Sequence, residues 1–253
     1  MLVDERETAL RAMEDGELGV HATKTLSAVA KYCRAEGYDR RAIEDTLLGL
    51  LTRRNWNNPA DRQSYARKIA AASDKYGLVR IDSIQMTENE MDACGRLKGV
   101  QIQRLMFTLL FLAKYGNAVN PKNNDWVNRD DGEIFSLANI KTGETRKSLM
   151  LNNLYGQGLI RFSDAITNLN INVLCVDHSP NADENAAFTV SDIRNIGAQY
   201  MLYAGEPYMR CRACGLVIRR TGSRQMYCKD CASRPKNTRA SDTTDLEHTR
   251  GDR

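Results

Sequence analysis

Apolar residues recur every three or four positions over four stretches at the start of the chain, a spacing that predicts amphipathic helices. These stretches cover residues 3–14, 21–35, 40–53 and 61–76. Gly37 closes the second and Gly77 the fourth, while Asn58-Pro59 breaks the pattern between the third and the fourth. In the third, Ile43, Leu47, Leu48 and Leu51 fall on one face. No strand-like alternation of any length precedes Val79, so residues 1–80 are expected to form a small helical domain.

The pattern then changes. Thr87-Glu88-Asn89-Glu90 has the form of a capping box and opens a helix carrying Met91 and Leu97. A stronger helix is predicted over 99–115, apolar nearly all round through Leu105, Met106, Phe107, Leu109 and Phe111, as suits the centre of a domain. Gly116-Asn117 is expected to end it, and the polar loop from Asn120 to Asn124 leads to Trp126. Two short helices follow at 133–138 and 144–155. A hairpin comes next, with strands starting near Leu159 and spanning 170–176 and a turn at 165–168. Helix, helix and hairpin in this order resemble a winged helix-turn-helix over about residues 99–178, within a domain of 85–178. On its second helix Lys147, Met150, Leu151 and Leu154 share one face, Lys147 by its methylene stem. Thr145, Ser148, Leu149 and Asn152 share the other.

A connecting helix is expected within 190–205, capped by Ser191, and Gly205-Glu206-Pro207 separates it from a module at 206–232. Residues 233–253 are almost free of apolar side chains and are expected to be disordered. The fold class is therefore mainly α with a small β component.

The module at 206–232 carries the most specific chemistry. Cys211, Cys214, Cys228 and Cys231 form two C-x2-C pairs separated by thirteen residues. Each pair can aim two sulfurs at one ion through a tight knuckle, and Gly215 suits the turn after the first. Four thiolates fill a tetrahedral shell, which fits one structural Zn²⁺ per chain rather than two disulfides or a catalytic metal with an open position.

Composition narrows the setting. Of 253 residues, 42% are hydrophobic and 27% charged, as in an ordinary soluble protein. The acidic N-terminus lacks a secretory h-region, and no apolar run approaches a membrane span. Cys33, Cys94 and Cys175 lie within apolar patterns as small core residues, and seven cysteines fit a reducing, cytosolic compartment. The net charge of +4 is uneven. Residues 209–240 hold nine basic side chains (Arg210, Arg212, Arg219, Arg220, Arg224, Lys229, Arg234, Lys236 and Arg239) against one acid, Asp230, which is +8 and leaves −4 for the remainder. Basic charge gathered on a small rigid scaffold is an electrostatic footprint for nucleic acid, although a solvated surface would also carry it.

Candidate nucleic-acid contacts follow. On the second helix of the winged pattern they are Thr145, Arg146, Lys147, Ser148 and Asn152, with Arg161 at the foot of the wing. On the cysteine module they are Arg212, Arg219, Arg220 and Arg224. Tyr208 and Tyr227 lie beside these cations and could stack on bases, while Tyr227 could equally cover the metal site. The helix is thin in cations, and Leu149 on its outer face suits a protein contact better than a polar groove. Catalysis has little support. His21, His178 and His248 sit in different modules, and no phosphate loop, Ser/His/Asp order or HExxH is present. Asp130, Asp131 and Glu133 at a helix start are expected to be dipole partners rather than cation ligands.

Three stretches, QRLMFTLLFLAKYGNAVNPKNNDWVN, DIRNIGAQYMLYAGEPYMRCRACGLVI and YCKDC, give residues 85–232 a resemblance to uncharacterised phage and prophage proteins with a winged-helix-like core and a C-terminal four-cysteine zinc ribbon. Cys211, Cys214, Cys228 and Cys231 match that pattern's ligand positions. The resemblance implies an origin in a mobile element and work inside a bacterial host. The N-terminal helices loosely resemble a helical segment of phage primases, suggesting a replication or DNA-transaction role. The expectation is thus a non-enzymatic, cytoplasmic DNA- or RNA-binding protein. The alternative is an inhibitor or adaptor that binds a bacterial host protein or ribonucleoprotein complex.

Overall fold

A computed structural model describes residues 2–53, 59–164, 170–179 and 185–233. The hairpin turn at 165–168, the tail beyond Ser233, and with it Arg234, Lys236, Arg239 and His248, lie outside the described residues. The fold is mainly helical with small antiparallel sheets, and the chain divides into two compact units, Met1–Asp82 and Ser83–Arg253.

The first unit contains β1 (Val3–Asp4), α1 (Glu5–Asp15), α2 (Ala22–Ala35), α3 (Arg40–Arg53), α4 (Pro59–Ser73) and β2 (Arg80–Ile81). Its helices follow the apolar periodicity closely. Leu26, Val29 and Cys33 of α2 pack with Ile43, Leu47 and Leu51 of α3, Ala66 and Ala70 of α4, and Ala9 and Ala12 of α1 in one apolar cluster. Two details differ from expectation. Pro59 is the first residue of α4 rather than part of a break before it, because a proline's fixed φ and missing N–H cost nothing at a helix start. Two strands also exist where none was expected: Val3 pairs with Ile81 and Asp4 with Arg80, which closes the ends of the unit. Two residues are too few for alternation to register. Asp4 then caps α1 by accepting from Glu7 N at 2.9 Å.

The second unit opens with β3 (Ile84–Thr87), α5 (Glu88–Gly95) and α6 (Val100–Val119). The capping box forms as read: Thr87 Oγ1 accepts from Glu90 N, and Glu90 Oε2 accepts from Thr87 N at 2.8 Å. Glu90 is fully buried, and its carboxylate is paid back by Lys114 Nζ at 2.9 Å and by the N–H of Asp177 at 2.9 Å. Helix α6 is the centre of the unit, with every residue from Leu105 to Ala113 buried. It runs past Gly116, which is a site of close approach and not a stop. A Cβ there would lie 2.6 Å from the Asn123 amide nitrogen.

Beyond a 3-10 turn (Pro121–Asn123) come β4 (Trp126–Val127), α7 (Asp131–Leu137), α8 (Glu144–Gly156), β5 (Ile160–Phe162) and β6 (Ile171–Val173). Strand β6 is central in the order β4-β6-β5, pairing Trp126 with Asn172 and Ile160 with Val173. The two-residue β4 was not expected. Strand β7 (Ala186–Val190) returns to pair with β3, Ile84 opposite Val190, another long-range ladder without a local signal.

Helix α9 (Ile196–Tyr203) corrects the expectation of a connector. It starts after Asn195, in a left-handed conformation, rather than at a Ser191 cap, and its residues from Ile196 to Met201 are all buried. Tyr200 meets Phe107 of α6 with ring centroids 5.4 Å apart. Gly197 lets the backbone close on the end of α7, where a Cβ would sit 2.1 Å from Ala138 O. A segment apolar on all sides belongs inside. The chain ends its described course with β8 (Tyr208–Arg210), β9 (Val217–Arg219) and α10 (Lys229–Ser233).

Candidate metal centre and basic surface

Strands β8 and β9 form a hairpin, Met209 opposite Ile218, and Cys211 follows directly from the first strand. Gly215, with φ of +71°, makes the tight turn that brings Cys214 back beside Cys211. The second pair enters α10, where Cys231 N donates to Cys228 Sγ at 3.4 Å. Cys228 N donates across to Cys211 Sγ at 3.3 Å, and Arg212 N donates to Met226 O at 3.0 Å, so the two knuckles are tied to each other. All four Sγ atoms lie within 4.8 Å of one another. The Cys214–Cys228 separation is 3.8 Å, close to the ~3.8 Å edge of a tetrahedron with Zn–S bonds of about 2.3 Å. The cysteines are free thiols, so they do not form disulfides.

This cluster could hold a metal ion. Burial pushes the Cys211 thiol up, but the N–H groups of Cys228, Cys214 and Ala213 outweigh it and bring it down to about 6. Hydrogen bonding with the Cys214 and Cys228 thiols pushes Cys231 up to about 12. Sulfurs so close cannot all ionise alone, because each thiolate disfavours the next. A divalent cation reverses that relation and holds all four as thiolates. The packing agrees, since the module's core is Cys211, Cys228 and Cys231 with only Ala213, Cys214, Leu216, Ile218 and Tyr227 partly buried around them.

The module is anchored within its unit by a residue that sequence reasoning did not single out. Arg194 is held in a fork by Asp192, with Nη2 2.7 Å from Oδ2, and the same Nη2 donates to Cys214 O at 2.7 Å. Asn195 Nδ2 reaches Val217 O at 3.4 Å. No spacing rule marks such an arginine, because its two partners are brought together only by the fold.

The ten predicted nucleic-acid contacts fall into two groups. On the cysteine module Arg212, Arg219 and Arg224 are exposed and make no ion pair among the described residues. Arg220 is used locally, its guanidinium buckling the turn through Ser223 O at 2.6 Å and Gly222 O at 3.3 Å. Tyr208 pairs across the hairpin with Arg219, and Tyr227 packs on the cysteine cluster as a cover. On α8 the cations are largely engaged. Lys147 is turned inward as its face predicted, 13% exposed, bonded to Glu144 at 2.6 Å and lying over the Phe135 ring. Arg146 donates to Gln101 at 3.3 Å, and Ser148 donates to the Glu144 carbonyl at 3.2 Å. Arg161 lies over the Trp126 ring and donates to Asn172 at 3.0 Å. Thr145, Asn152 and Leu149 are exposed, Leu149 at 65%.

Asp130 caps α7 by accepting from Glu133 N at 2.8 Å, and Glu133 pairs with Arg129, the dipole role expected of this acidic stretch. His21 precedes α2 without a side-chain cap bond, and His178 pairs with Asp125 at 2.9 Å. Cys33 and Cys94 are core residues; Cys175 is half-buried, and burial pushes its thiol up to about 11. No helix among the described residues is long and apolar enough to cross a membrane. No protein-family model, curated protein or solved structure matches this chain.

Proposed function

We propose that this protein is a non-enzymatic nucleic-acid-binding protein whose four cysteines hold one structural Zn²⁺ and whose cysteine module presents arginines to phosphate. The observation that carries this reading is the coincidence of a four-sulfur cluster with Arg212, Arg219 and Arg224, which are exposed and without an ion pair among the described residues, on a module of about two dozen residues. Residues 99–178 would act as a winged helix-turn-helix. The order α6, β4, α7, α8, β5, β6 with β6 between the other two strands supports this, and α8 would then be the helix offered to a major groove. The resemblance to phage and prophage proteins supports the cytoplasm of a bacterial host as the setting.

Arg212→Ala combined with Arg219→Ala should weaken binding to all sequences alike and lower the slope of log affinity against log salt by about two. A mobility-shift titration of protein carrying about one zinc per chain tests this; no shift of duplex or single strand at low salt would end the reading. One observation favours a second reading, an adaptor or inhibitor that binds a host protein. Leu149 is 65% exposed on a helix whose cations are otherwise occupied. A partner that co-purifies from bacterial lysate after nuclease treatment and is lost with Leu149→Lys would support it.

A further inference from the structure

The loop between α6 and β4 is built more tightly than a connector requires. Asn124 and Asp125 stand consecutively in the left-handed region, with φ of +50° and +64°, a conformation that costs non-glycine residues energy and tends to mark ligand clamps. Side chains enforce it. Asn117 donates to Asp125 Oδ1 at 2.6 Å and accepts from Asp125 N at 3.0 Å and from Asn123 at 3.2 Å. Asn172 of β6 donates to Asn124 O at 2.7 Å, and His178 holds the second Asp125 oxygen at 2.9 Å.

What this scaffold shapes is a groove of about 360 Å³, within the size range of small-ligand sites. Asn120, Asn128 and Asn170 supply amides to its wall, Asn123 adds its Oδ1 because its NH2 is taken by Asn117 and the Trp126 carbonyl, and Lys122, Ser163 and Trp126 complete it. Among the described residues no carboxylate lines it, and Asp125 is turned to Asn117 and His178. The Trp126 indole is backed by the Arg161 guanidinium, 5.5 Å from the ring centroid, and Arg161 is itself fixed by Asn172. An aromatic ring, amides that can donate and accept along a base edge, and cations without opposing acid form the chemistry that recognises a nucleobase with its phosphate. A neutral sugar would use the ring and amides but would have no use for the ammonium of Lys122.

We propose that this groove takes one unpaired nucleobase, stacked against Trp126, with the asparagine amides on its edge and Lys122 on the adjoining phosphate. The proposal rests on the nucleic-acid reading and adds to it a site for a single-stranded base, separate from the arginines of the cysteine module. It also gives Arg161 a role other than a direct phosphate contact: it backs the stacking ring.

The test uses the full chain with Trp56→Phe, which leaves Trp126 as the sole tryptophan reporter. Mixed-sequence ten-nucleotide single strands should quench its fluorescence on binding, whereas a blunt duplex of the same sequence should bind without quenching. Trp126→Ala should weaken single-strand binding by roughly ten- to a hundred-fold, the range of one lost base stack, while changing duplex binding less than about two-fold. Asn128→Ala, on an exposed residue of the rim, should weaken single-strand binding several-fold and guards against misfolding of the tryptophan variant. Quenching by adenosine monophosphate at micromolar concentration, with none by the strand, would uphold the base chemistry and make a free nucleotide its source. Strong binding of single strands that leaves fluorescence unchanged and is indifferent to both substitutions would overturn the groove while sparing the nucleic-acid reading. Absence of binding to every strand would remove both.

Discussion

The N-terminal unit and the cysteine module are both small, yet they reach order by opposite routes. In the first, four helices bury fifteen residues in one apolar cluster. In the second, three buried cysteines stand where a core would be, with a rim of partly buried side chains too slight to offset the ordering entropy of the chain. The difference teaches where each module's fold would depend on conditions: the helices on packing, the cysteine module on the ionisation of its thiols and on the metal proposed for them.

The largest effect should come from breaking the second module. The structural zinc proposed for these cysteines would contribute about 10–16 kcal/mol of apparent binding energy, nearly all of it folding energy. Cys228→Ser, or a strong chelator, should release about one zinc per chain, as metal analysis would show. It should also abolish order in 208–233 by hydrogen exchange and remove the salt-dependent binding proposed for Arg212 and Arg219. Acid should act in the same direction, because protons compete with the metal for thiolates. Protection of amides in α2 and α3 should be unchanged. Loss of protection there on chelation would mean that the two modules do not differ as described.

The reciprocal experiment is smaller in energy. Leu47 of α3 is fully buried in that cluster, and Leu47→Ala should cost about 2–5 kcal/mol through lost burial and a residual cavity. Denaturant unfolding followed by helical signal would measure it. The cost should be the same with and without chelator, and zinc content should stay at the wild-type value.

These two modules were also the parts most legible in the sequence, for the same reason: each is specified by local spacing. Leu47 and Leu51 announce a helix face four residues apart, and Cys211 and Cys214 announce a knuckle. The capping box at Thr87 was equally local and equally plain. What stayed hidden depends on partners distant in the chain. Strand β3 is completed by β7 a hundred residues later, β1 by β2, and β4 by β6, and strands of two to five residues leave no period to read. Helix α9 was misjudged as a connector because its eight residues carry no polar face from which a buried side could be told. Gly116 read as a helix stop, although the fold uses it for close approach to Asn123, and nothing in the local sequence marked Gly197 for its approach to Ala138. The Trp126 groove was invisible for the same cause, since its wall joins residues 120–128 to Ser163 and Asn170 across the sheet.

The smallest effect sharpens the comparison at the opening of the second unit, where polar side chains do the joining that leucines do in the first. Thr87 caps α5 and also donates its hydroxyl to Asp177 Oδ2 at 3.0 Å, so one side chain ties the helix start to the segment after β6. Thr87→Ala should therefore cost about 1–2 kcal/mol, the upper part of the usual cap range, and Thr87→Ser almost nothing because the hydroxyl is kept. The Asp177 carboxylate is held well below its ordinary range by the Ser179 N–H and hydroxyl, then by the Thr87 hydroxyl and the Asn89 amide. A depressed carboxylate stabilises the fold above its unfolded pKa, near 3.9, and that contribution fades as pH falls through the folded value. Thr87→Ala removes one of the donors that depress it, so the two proteins should lose stability alike down to about pH 3, and the variant should lose less than wild type only below that, as pH falls through the folded value. Urea midpoints at neutral pH and again below about pH 3, for wild type, Thr87→Ala and Thr87→Ser, would read the cap and the carboxylate separately. A Thr87→Ala deficit that grows on acidification would show that the hydroxyl caps α5 without acting on Asp177.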